Sequence, residues 1–463
     1  MKPHSPPPVS GRRRRPVDAW LHRMYFRGSG FRFFIGRRCR PATLASAIVL
    51  GLSACLGVAH DSTPVYQLFS LSLGMVVIGL PWAMCRRAAV EAKRELPRFG
   101  TAGEPLRYSV RVWHHGKRRL SRAWLADSPP DPRPSLADFS LLREPGEEKR
   151  NGFDRRLAYF RWHWLMRGNR LFSGGYSRDD LDLKRGQHAK IAIELTPLRR
   201  GVIRFDDLRV LLPDPFGLFQ RCRKVKAPAA TLIVLPRRFP LPPIELPGGA
   251  AFKISGESNT NSIGTSGEFV GLRDYRPGDP LRQIHWKSWA RTGRPIVKEL
   301  EDTYYPRYGL VVDTLSCERT DHQFEEVISV AASFAASIDT RQSLLDLMFI
   351  KNEAHLVTAG RGLERAEKLL EVLAGVMPER TENFKELAQL VLRHRDDLTS
   401  CLVIFNGWDE SRAEFLQTLA RGGIVCAPII VGQGPPPAGI HGHWLESGEI
   451  ARDLRRLPPR LTA

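Results

Sequence analysis

"YGLVVDTLSCERTDHQFEEVISVAASFAASI", residues 308–338, joins a short apolar run closed by Asp313 to a long helical pattern. The run Tyr308–Val312 is short and evenly apolar, which is the pattern of a strand buried on both faces in a parallel sheet. Beyond it, Phe324, Val327, Ile328, Ala331, Phe334, Ala335 and Ile338 recur at helical spacing and make one wide apolar face. The alternation continues downstream. "LLDLMFI" and "AHLVTA" read as strands, and "GLERAEKLLEVLAGV" and "NFKELAQLVLRH" as helices. "SCLVIF", "SRAEFLQTLARG" and "IVCAPIIVG" complete the series as strand, helix and strand. Residues 307–432 are therefore predicted to form a doubly wound α/β domain with helices on both faces of an open sheet. Residues 433–463, rich in Pro and Arg, read as a loose tail.

Upstream the period changes from 3.6 to 2. "LRYSVRVWHH", "HAKIAIELTPL" and "IRFDDLRVLLP" alternate as half-buried strands do. "DSPPDPRPS" and "FSGGYS" read as breaks between them. Residues 88–245 are predicted to be a β-sandwich-like domain. Its segment 128–175 has no pattern that places it. "DPFGLF", Asp214–Phe219, reads as a turn packed on its own sandwich. Residues 246–306 hold a linker rich in Pro, Gly and Ser, followed by a dense charged segment.

The chain of 463 residues carries a formal charge of +21, with 42% apolar residues, so it has the means to build cores and a reason to meet something anionic. Residues 1–40 hold Lys2 and ten arginines against Asp18 alone. Directly after them comes "PATLASAIVLGLSACLGVA", Pro41–Ala59, and then "VYQLFSLSLGMVVIGLPWAM", Val65–Met84. Each reaches about 28–30 Å as a helix, close to the thickness of a bilayer's hydrocarbon core. Two spans joined by a short turn predict a membrane hairpin. A cleaved signal peptide fits less well, because the basic region is long and a second span follows. Basic residues flank both outer ends and none lies in the turn, which puts both termini in the cytoplasm and the protein in the inner (cytoplasmic) membrane, near anionic lipid. The seven cysteines form no C-x-x-C pair and read as free thiols in a reducing compartment.

The charged segment, residues 267–301, is "GEFVGLRDYRPGDPLRQIHWKSWARTGRPIVKELE". Its elements F-x-G-L-R-x-Y-x-P-G-D at 269–279, R-x-I-x-W-K at 282–287, A-R-T-G at 290–293 and V-K-E at 297–299 resemble the signature of domain-of-unknown-function family 58. The resemblance implies two membrane spans, a β domain and an α/β domain like that of von Willebrand factor A. It further implies company with a MoxR-type AAA+ ATPase. One position departs from the family pattern: His285 stands where Asp is common, so a role that needs a carboxylate there is in doubt.

An α/β domain of that kind suggests a metal-dependent adhesion site, which needs D-x-S-x-S so that a carboxylate and two hydroxyls meet one Mg²⁺. Here Asp313 is followed by Leu315 and Cys317 at the hydroxyl positions, with Thr314 and Ser316 out of register. Asn406 stands where a second carboxylate belongs, and Thr381 is the one candidate loop hydroxyl. The site is expected to be degenerate at Asp313, with no metal or other cofactor, and Asp313 is expected to hydrogen-bond a neighbouring loop.

No catalytic motif is present: no phosphate-binding G-x-x-x-x-G-K-[ST], no H-E-x-x-H and no G-x-S-x-G. His285 beside Trp286 is read as structural, and Asp279 with Arg282 as an ion pair that fixes a turn. Nucleic-acid binding is an alternative that the charge allows, but the main basic block adjoins a span. The expectation is a membrane-anchored, non-enzymatic scaffold or interaction protein. Arg273, Tyr275, Asp279, Arg282, Trp286, Lys287, Arg291 and Lys298 form its docking surface, with Trp289 and Arg276 beside them. Metal-dependent ligand binding is the first alternative reading.

Overall fold

The structure, a computed structural model, describes residues 16–59, 63–247, 268–301, 306–315, 322–338, 343–351, 353–360, 363–379, 384–437 and 439–461. Most of the turn between the apolar helices, most of the linker before residue 268, and Ser316, Cys317 and Thr381 lie outside them. Contacts divide the chain into two compact units, Met1–Leu235 and Pro236–Ala463.

Three helices open the first unit: α1 (Pro16–Arg38), α2 (Pro41–Ala59) and α3 (Thr63–Cys85). The stretch Pro64–Cys85 is long and apolar enough, by length and composition, to cross a membrane. The shorter apolar α2 packs against α3. The basic N-terminal segment is helical from Pro16 onward, which its mixture of arginines and aromatics did not announce.

Strands β1 (Val90–Glu95), β2 (Phe99–Thr101), β3 (Leu106–His114) and β4 (Leu120–Asp127) follow. Segment 128–175 is then resolved as a helical insertion: α4 (Leu136–Leu141), α5 (Gly152–Leu157) and α6 (Tyr159–Gly168). Ser135 and Asn151 start α4 and α5 as N-caps, their side chains accepting from Asp138 N at 3.1 Å and Asp154 N at 2.7 Å. Phe139, Ala158, Trp162 and Leu165 of the insertion bury Leu21 of α1 in a separate small core. Tyr25 Oη donates to Leu157 O at 2.9 Å, and inside the insertion the buried Arg161 closes on Glu147. Such a core is invisible to local periodicity because its two halves are more than a hundred residues apart.

The sandwich continues with β5 (Phe172–Ser177), β6 (Leu181–Leu183), β7 (His188–Pro197), β8 (Gly201–Phe205), β9 (Leu208–Pro213), β10 (Gln220–Lys224) and β11 (Ala230–Leu235). One sheet runs β1-β3-β7-β5-β4-β9-β10, with β6 on β4; the other runs β2-β11-β8. Both contribute to one core that includes Val110, Leu125, Ile193, Phe205, Val210 and Leu232. Two local readings need correction. "FSGGYS" is not a break but strand β5, in which Gly174 and Gly175 adopt φ of 82° and 86° and shift the register against β7. A Cβ on Gly175 would lie 2.5 Å from Asp127 O, so the backbone passes where only glycine fits. "IRFDDLRVLLP" is two strands in different sheets, broken at Asp206 and Asp207.

"DPFGLF" does more than pack on its sandwich. Asp214 Oδ1 accepts from Phe219 N at 2.9 Å and closes the turn. Arg40 N then donates to Leu218 O at 2.9 Å, and Thr43 Oγ1 donates to the same carbonyl. Arg86 donates to Pro213 O at 2.8 Å. A Cβ on Gly79 of α3 would sit 2.7 Å from Asp214 Oδ2, so the turn also rests on a bare glycine. The β-domain is thus held to the ends of α2 and α3 by this turn, which periodicity within the domain has no means of revealing.

Inside the sandwich, Arg94 meets Asp127 through two hydrogen bonds of 2.8 Å, with their side chains 1% and 0% exposed. Tyr108 Oη donates to the same carboxylate at 2.7 Å, and Arg94 also donates to Pro228 O at 3.0 Å. Burial and the Asp127 charge push the Tyr108 hydroxyl well above its ordinary range, so it stays a donor.

In the second unit β12 (Glu268–Asp274) and β13 (Ile296–Glu301) form an antiparallel ribbon, with α7 (Trp286–Thr292) in the excursion between them. Then come β14 (Arg307–Val312), α8 (His322–Ser337), β15 (Leu344–Lys351), β16 (Glu353–Gly360), α9 (Leu363–Gly375), α10 (Lys385–Arg393), β17 (Ser400–Asn406), α11 (Glu410–Arg421), β18 (Cys426–Gly432), β19 (His443–Glu446) and α12 (Ile450–Arg455). The sheet order is β16-β15-β14-β17-β18-β19, with β16 alone antiparallel to its neighbour. Phe384, Leu387, Val391, Phe415 and Leu419, at or within α10 and α11, share a core with Val311, Val403 and Phe405, while α8 packs on β14, β17 and β18 outside that cluster. The expected loose tail is a correction: β19 and α12 extend the sheet and bury Leu445, Ile450, Leu454 and Leu461. Glu245 joins it, its N–H donating to Pro459 O at 2.7 Å. Sparse apolar residues among arginines hid a strand whose ladder is supplied by β18.

Arg94→Met should leave Asp127 buried without its partner. A loss of about 3–5 kcal/mol is expected in chemical denaturation of the full chain in detergent, against a much smaller loss for Tyr108→Phe.

Candidate functional site

Residues 274–295 are folded by hydrogen bonds rather than by a core. Asp279 N donates to Arg276 O at 3.0 Å, and Arg276 N donates to Asp279 Oδ2 at 2.8 Å. Gly278 takes φ of 109°, which a residue with a Cβ adopts only with strain. Arg273, near the end of β12, donates to both Asp279 oxygens at 2.7 and 2.8 Å. The ion pair that fixes the turn is therefore Asp279–Arg273, not the expected Asp279–Arg282. Arg273 leaves the ribbon beside the carboxylate, whereas Arg282 stands in the one-turn helix Leu281–Gln283 and is exposed. The Arg273 guanidinium, with the Arg276 N–H, pulls the Asp279 carboxyl down to about 2.

Ile284 is 5% exposed and bridges Val297, which is fully buried. His285 N donates to Ile296 O at 2.8 Å, and Tyr275 N to Pro295 O at 3.0 Å, so both limbs of the excursion are tied to β13. His285 Nδ1 lies 2.6 Å from Ser288 Oγ in the first turn of α7, and Ser288 N donates to His285 O at 3.0 Å. This geometry starts a helix. His285 takes part in it through both its backbone and its ring.

The apolar side chains of the excursion divide between inside and outside. Ile284 is inside, but Trp286 is 62% exposed and stacks on half-buried Trp289, ring centroids 5.3 Å apart and planes 20° from parallel. Arg276, Arg282, Lys287, Arg291, Arg294 and Lys298 are exposed, and none has an ion pair among the described residues. Leu281 and Leu272, 67% and 44% exposed, lie on the same excursion and its ribbon. Arg294 was not singled out in the sequence; its signal was its place in the loop that returns to β13.

Asp313 lies at the end of β14 and is 1% exposed. Oδ1 accepts from Leu315 N at 2.9 Å; Oδ2 accepts from Asn406 N at 3.0 Å and from Arg412 Nε at 2.8 Å. Arg412 is also fastened to Asp409, the N-cap of α11, and lies over the Phe384 ring. Burial pushes the Asp313 carboxyl up, against the pull of the guanidinium and the two N–H groups. The donor set does not suit a hard cation, because a guanidinium occupies the carboxylate and Leu315 presents no oxygen from its side chain. Arg412 was missed in the sequence, where "DESRAEF" reads as an ordinary helix start. No group of three or more metal-binding side chains is present among the described residues.

Compared with known proteins, residues 271–421 match the family model described as "Protein of unknown function DUF58". The uncharacterized protein YeaD of Bacillus subtilis (strain 168) is 28% identical over 188 residues, which cover 40% of this chain and 45% of that one. The match thus spans less than half the length of that relative. Among solved structures, the manganese-loaded TRAP protein of Plasmodium vivax aligns at 15% identity and a TM-score of 0.26 over 33% of this chain and 73% of that chain. A CARDB domain from Pyrococcus furiosus aligns at 10% identity and a TM-score of 0.17 over 32% and 94%. Scores this low say nothing about the fold.

Two outcomes are expected. The Asp279 carboxyl resonance should titrate near 2, and Arg273→Gln should move it up toward 3.8, the ordinary value. The sign follows from a depressed carboxyl: its hold on the turn is complete above 3.8 and is lost as the pH falls through about 2. Arg412→Met should strip the buried Asp313 of its cation and cost about 3–5 kcal/mol in chemical denaturation, with Mg²⁺ at low millimolar concentration restoring none of it.

Proposed function

We propose that the protein is a membrane-anchored, non-enzymatic interaction protein whose docking surface is residues 267–301. In this reading α2 and α3 are a two-span hairpin in the inner membrane with both termini in the cytoplasm. The length of α3, the packing of α2 on it and the basic flanks support that arrangement. The C-terminal sheet is of von Willebrand factor A type, a reading supported by its parallel strands with one antiparallel edge strand, β16.

The observation that carries the docking role is exposed Trp286 stacked on Trp289 beside six exposed cations, on a backbone pinned by Arg273, Asp279 and Ile284. A preorganised turn loses little freedom on binding, an aromatic pair supplies contact area, and the cations select an acidic face. The resemblance to family 58 supplies the partner class, a MoxR-type AAA+ ATPase. The adhesion-type alternative is disfavoured because Arg412 already neutralises Asp313. Nucleic acid is the alternative that the stacked Trp pair keeps in play, since bases stack on such rings.

The test uses the full chain in detergent with a purified MoxR-type ATPase of the same cell. Arg282→Ala with Arg291→Ala should weaken binding and flatten its salt dependence while leaving the melting curve unchanged. Trp286→Ala should cost about 2 kcal/mol, roughly thirty-fold in affinity. Binding by both variants equal to that of the wild type, or salt-dependent retention of single-stranded DNA in place of the ATPase, ends this reading. A reporter active only outside the cytoplasm, fused after Ala463, should stay silent; activity would overturn the topology.

A further inference from the structure

One side of α1 is partly covered, with Phe26 and Phe33 on it still 37% and 39% exposed. Leu21 is buried and Tyr25 and His22 are half-buried against the insertion α4–α6, where His22 Nε2 lies 3.0 Å from Pro134 O. The other side is not. Val17, Trp20, Met24, Phe31, Phe34 and Ile35 are between 40% and 66% exposed. At 100° per residue these six fall within an arc of about 100° on the helix. Arg23, Arg27 and Arg38 lie within or beside the same arc and are exposed, with no ion pair among the described residues. The Arg38 guanidinium sits over the Phe34 ring at 4.3 Å.

We propose that this face of α1 lies on an anionic phospholipid surface, so that α1 is a helix in the plane of the membrane, clamped between the bilayer and the helical insertion. The chemistry on the face decides the occupant. Aromatic and aliphatic side chains interleaved with arginines match the boundary between headgroups and acyl chains, where rings bury their bodies and guanidinium groups reach phosphate. A second copy of α1 fits poorly, because its arginines would face these arginines and the helix has only Asp18 to answer them. Position agrees. α1 ends at Arg38 and α2 begins at Pro41, so the last turn of α1 stands where α2 enters the bilayer. The inference rests on the proposed anchoring by α2 and α3. It adds that the insertion 128–175 is the seat that holds α1 flat, which would explain why a β-sandwich carries it.

The experiment takes the full chain in nanodiscs of about one-third phosphatidylglycerol in phosphatidylcholine, with acyl chains brominated near the headgroup. Subtracting the emission of Trp20→Phe from that of the wild type isolates Trp20 from the other tryptophans. Trp20 should lose at least about half of its emission to bromine and be shielded from aqueous acrylamide. In pure phosphatidylcholine the bromine effect should be at least about two-fold weaker, and Arg23→Gln with Arg27→Gln should weaken it in the anionic discs as well. Quenching of Trp20 by acrylamide overturns the proposal, because the face is then in water. Shielding from both quenchers overturns it too, because protein then covers the face. Equal bromine quenching in neutral discs removes the anionic surface as the ligand. Failure of the anchoring itself is a separate result: the chain would not travel with the nanodiscs in gel filtration.

Discussion

A guanidinium closed on a carboxylate, buried in three places and at the surface in a fourth, is the interaction on which the sandwich, the insertion and the C-terminal sheet lean. Arg94 on Asp127 sits in the sandwich, Arg161 on Glu147 in the helical insertion, and Arg412 on Asp313 at the open end of the sheet. Arg273 on Asp279 does the same at the surface. A buried pair of this kind adds little net stability, since desolvation cancels much of the attraction. What it supplies is uniqueness: a misregistered strand or a swung loop would strand a charge inside. At Arg94, Arg161 and Arg273 two hydrogen bonds between planar groups fix angle as well as distance, which a lysine would not do.

At Asp313 the same interaction redirects chemistry. A carboxylate at the end of the first parallel strand is where an open sheet can hold a cation between loops. Arg412, brought in by the first turn of α11 and steadied by Asp409, supplies the cation from within the chain. The loop that bears Asp313 is thereby tied to Asn406 and Arg412. On the excursion between β12 and β13, by contrast, the charges are solvated and an aromatic pair is presented.

Legibility in the sequence followed the range of the interactions. The strand–helix alternation from 307 to 432 could be read because each element is periodic within itself and buried on its own account. The alternating strands β3 and β7 were clear for the same reason. What was missed depends on partners far along the chain. The insertion is organised by Leu21 and Tyr25, the tail by the edge of β18, and the turn at 214–219 by Arg40, Thr43 and Gly79. At the candidate site the charged residues could be named but not paired. Arg273 and Arg282 are equivalent in composition, and only the path of β12 decides which one meets Asp279. Trp286 and Ile284, two residues apart, differ in burial because Ile284 bridges Val297 while Trp286 opens α7 at the surface.

The seat of α1 on the insertion, and of the turn Asp214–Phe219 on α2 and α3, bears on how the protein can be handled. Cutting the chain ahead of residue 88 to obtain a soluble piece would lay bare Phe139, Trp162 and Leu165, together with Leu218, all of which are buried here beside the removed helices. The carbonyl of Leu218 would lose both of its donors, and that of Pro213 would lose Arg86. Such a piece would expose fresh greasy surface where the sandwich and its insertion meet the removed helices. It would be prone to self-association there, and its aggregation would reflect the cut and not a fault in the fold.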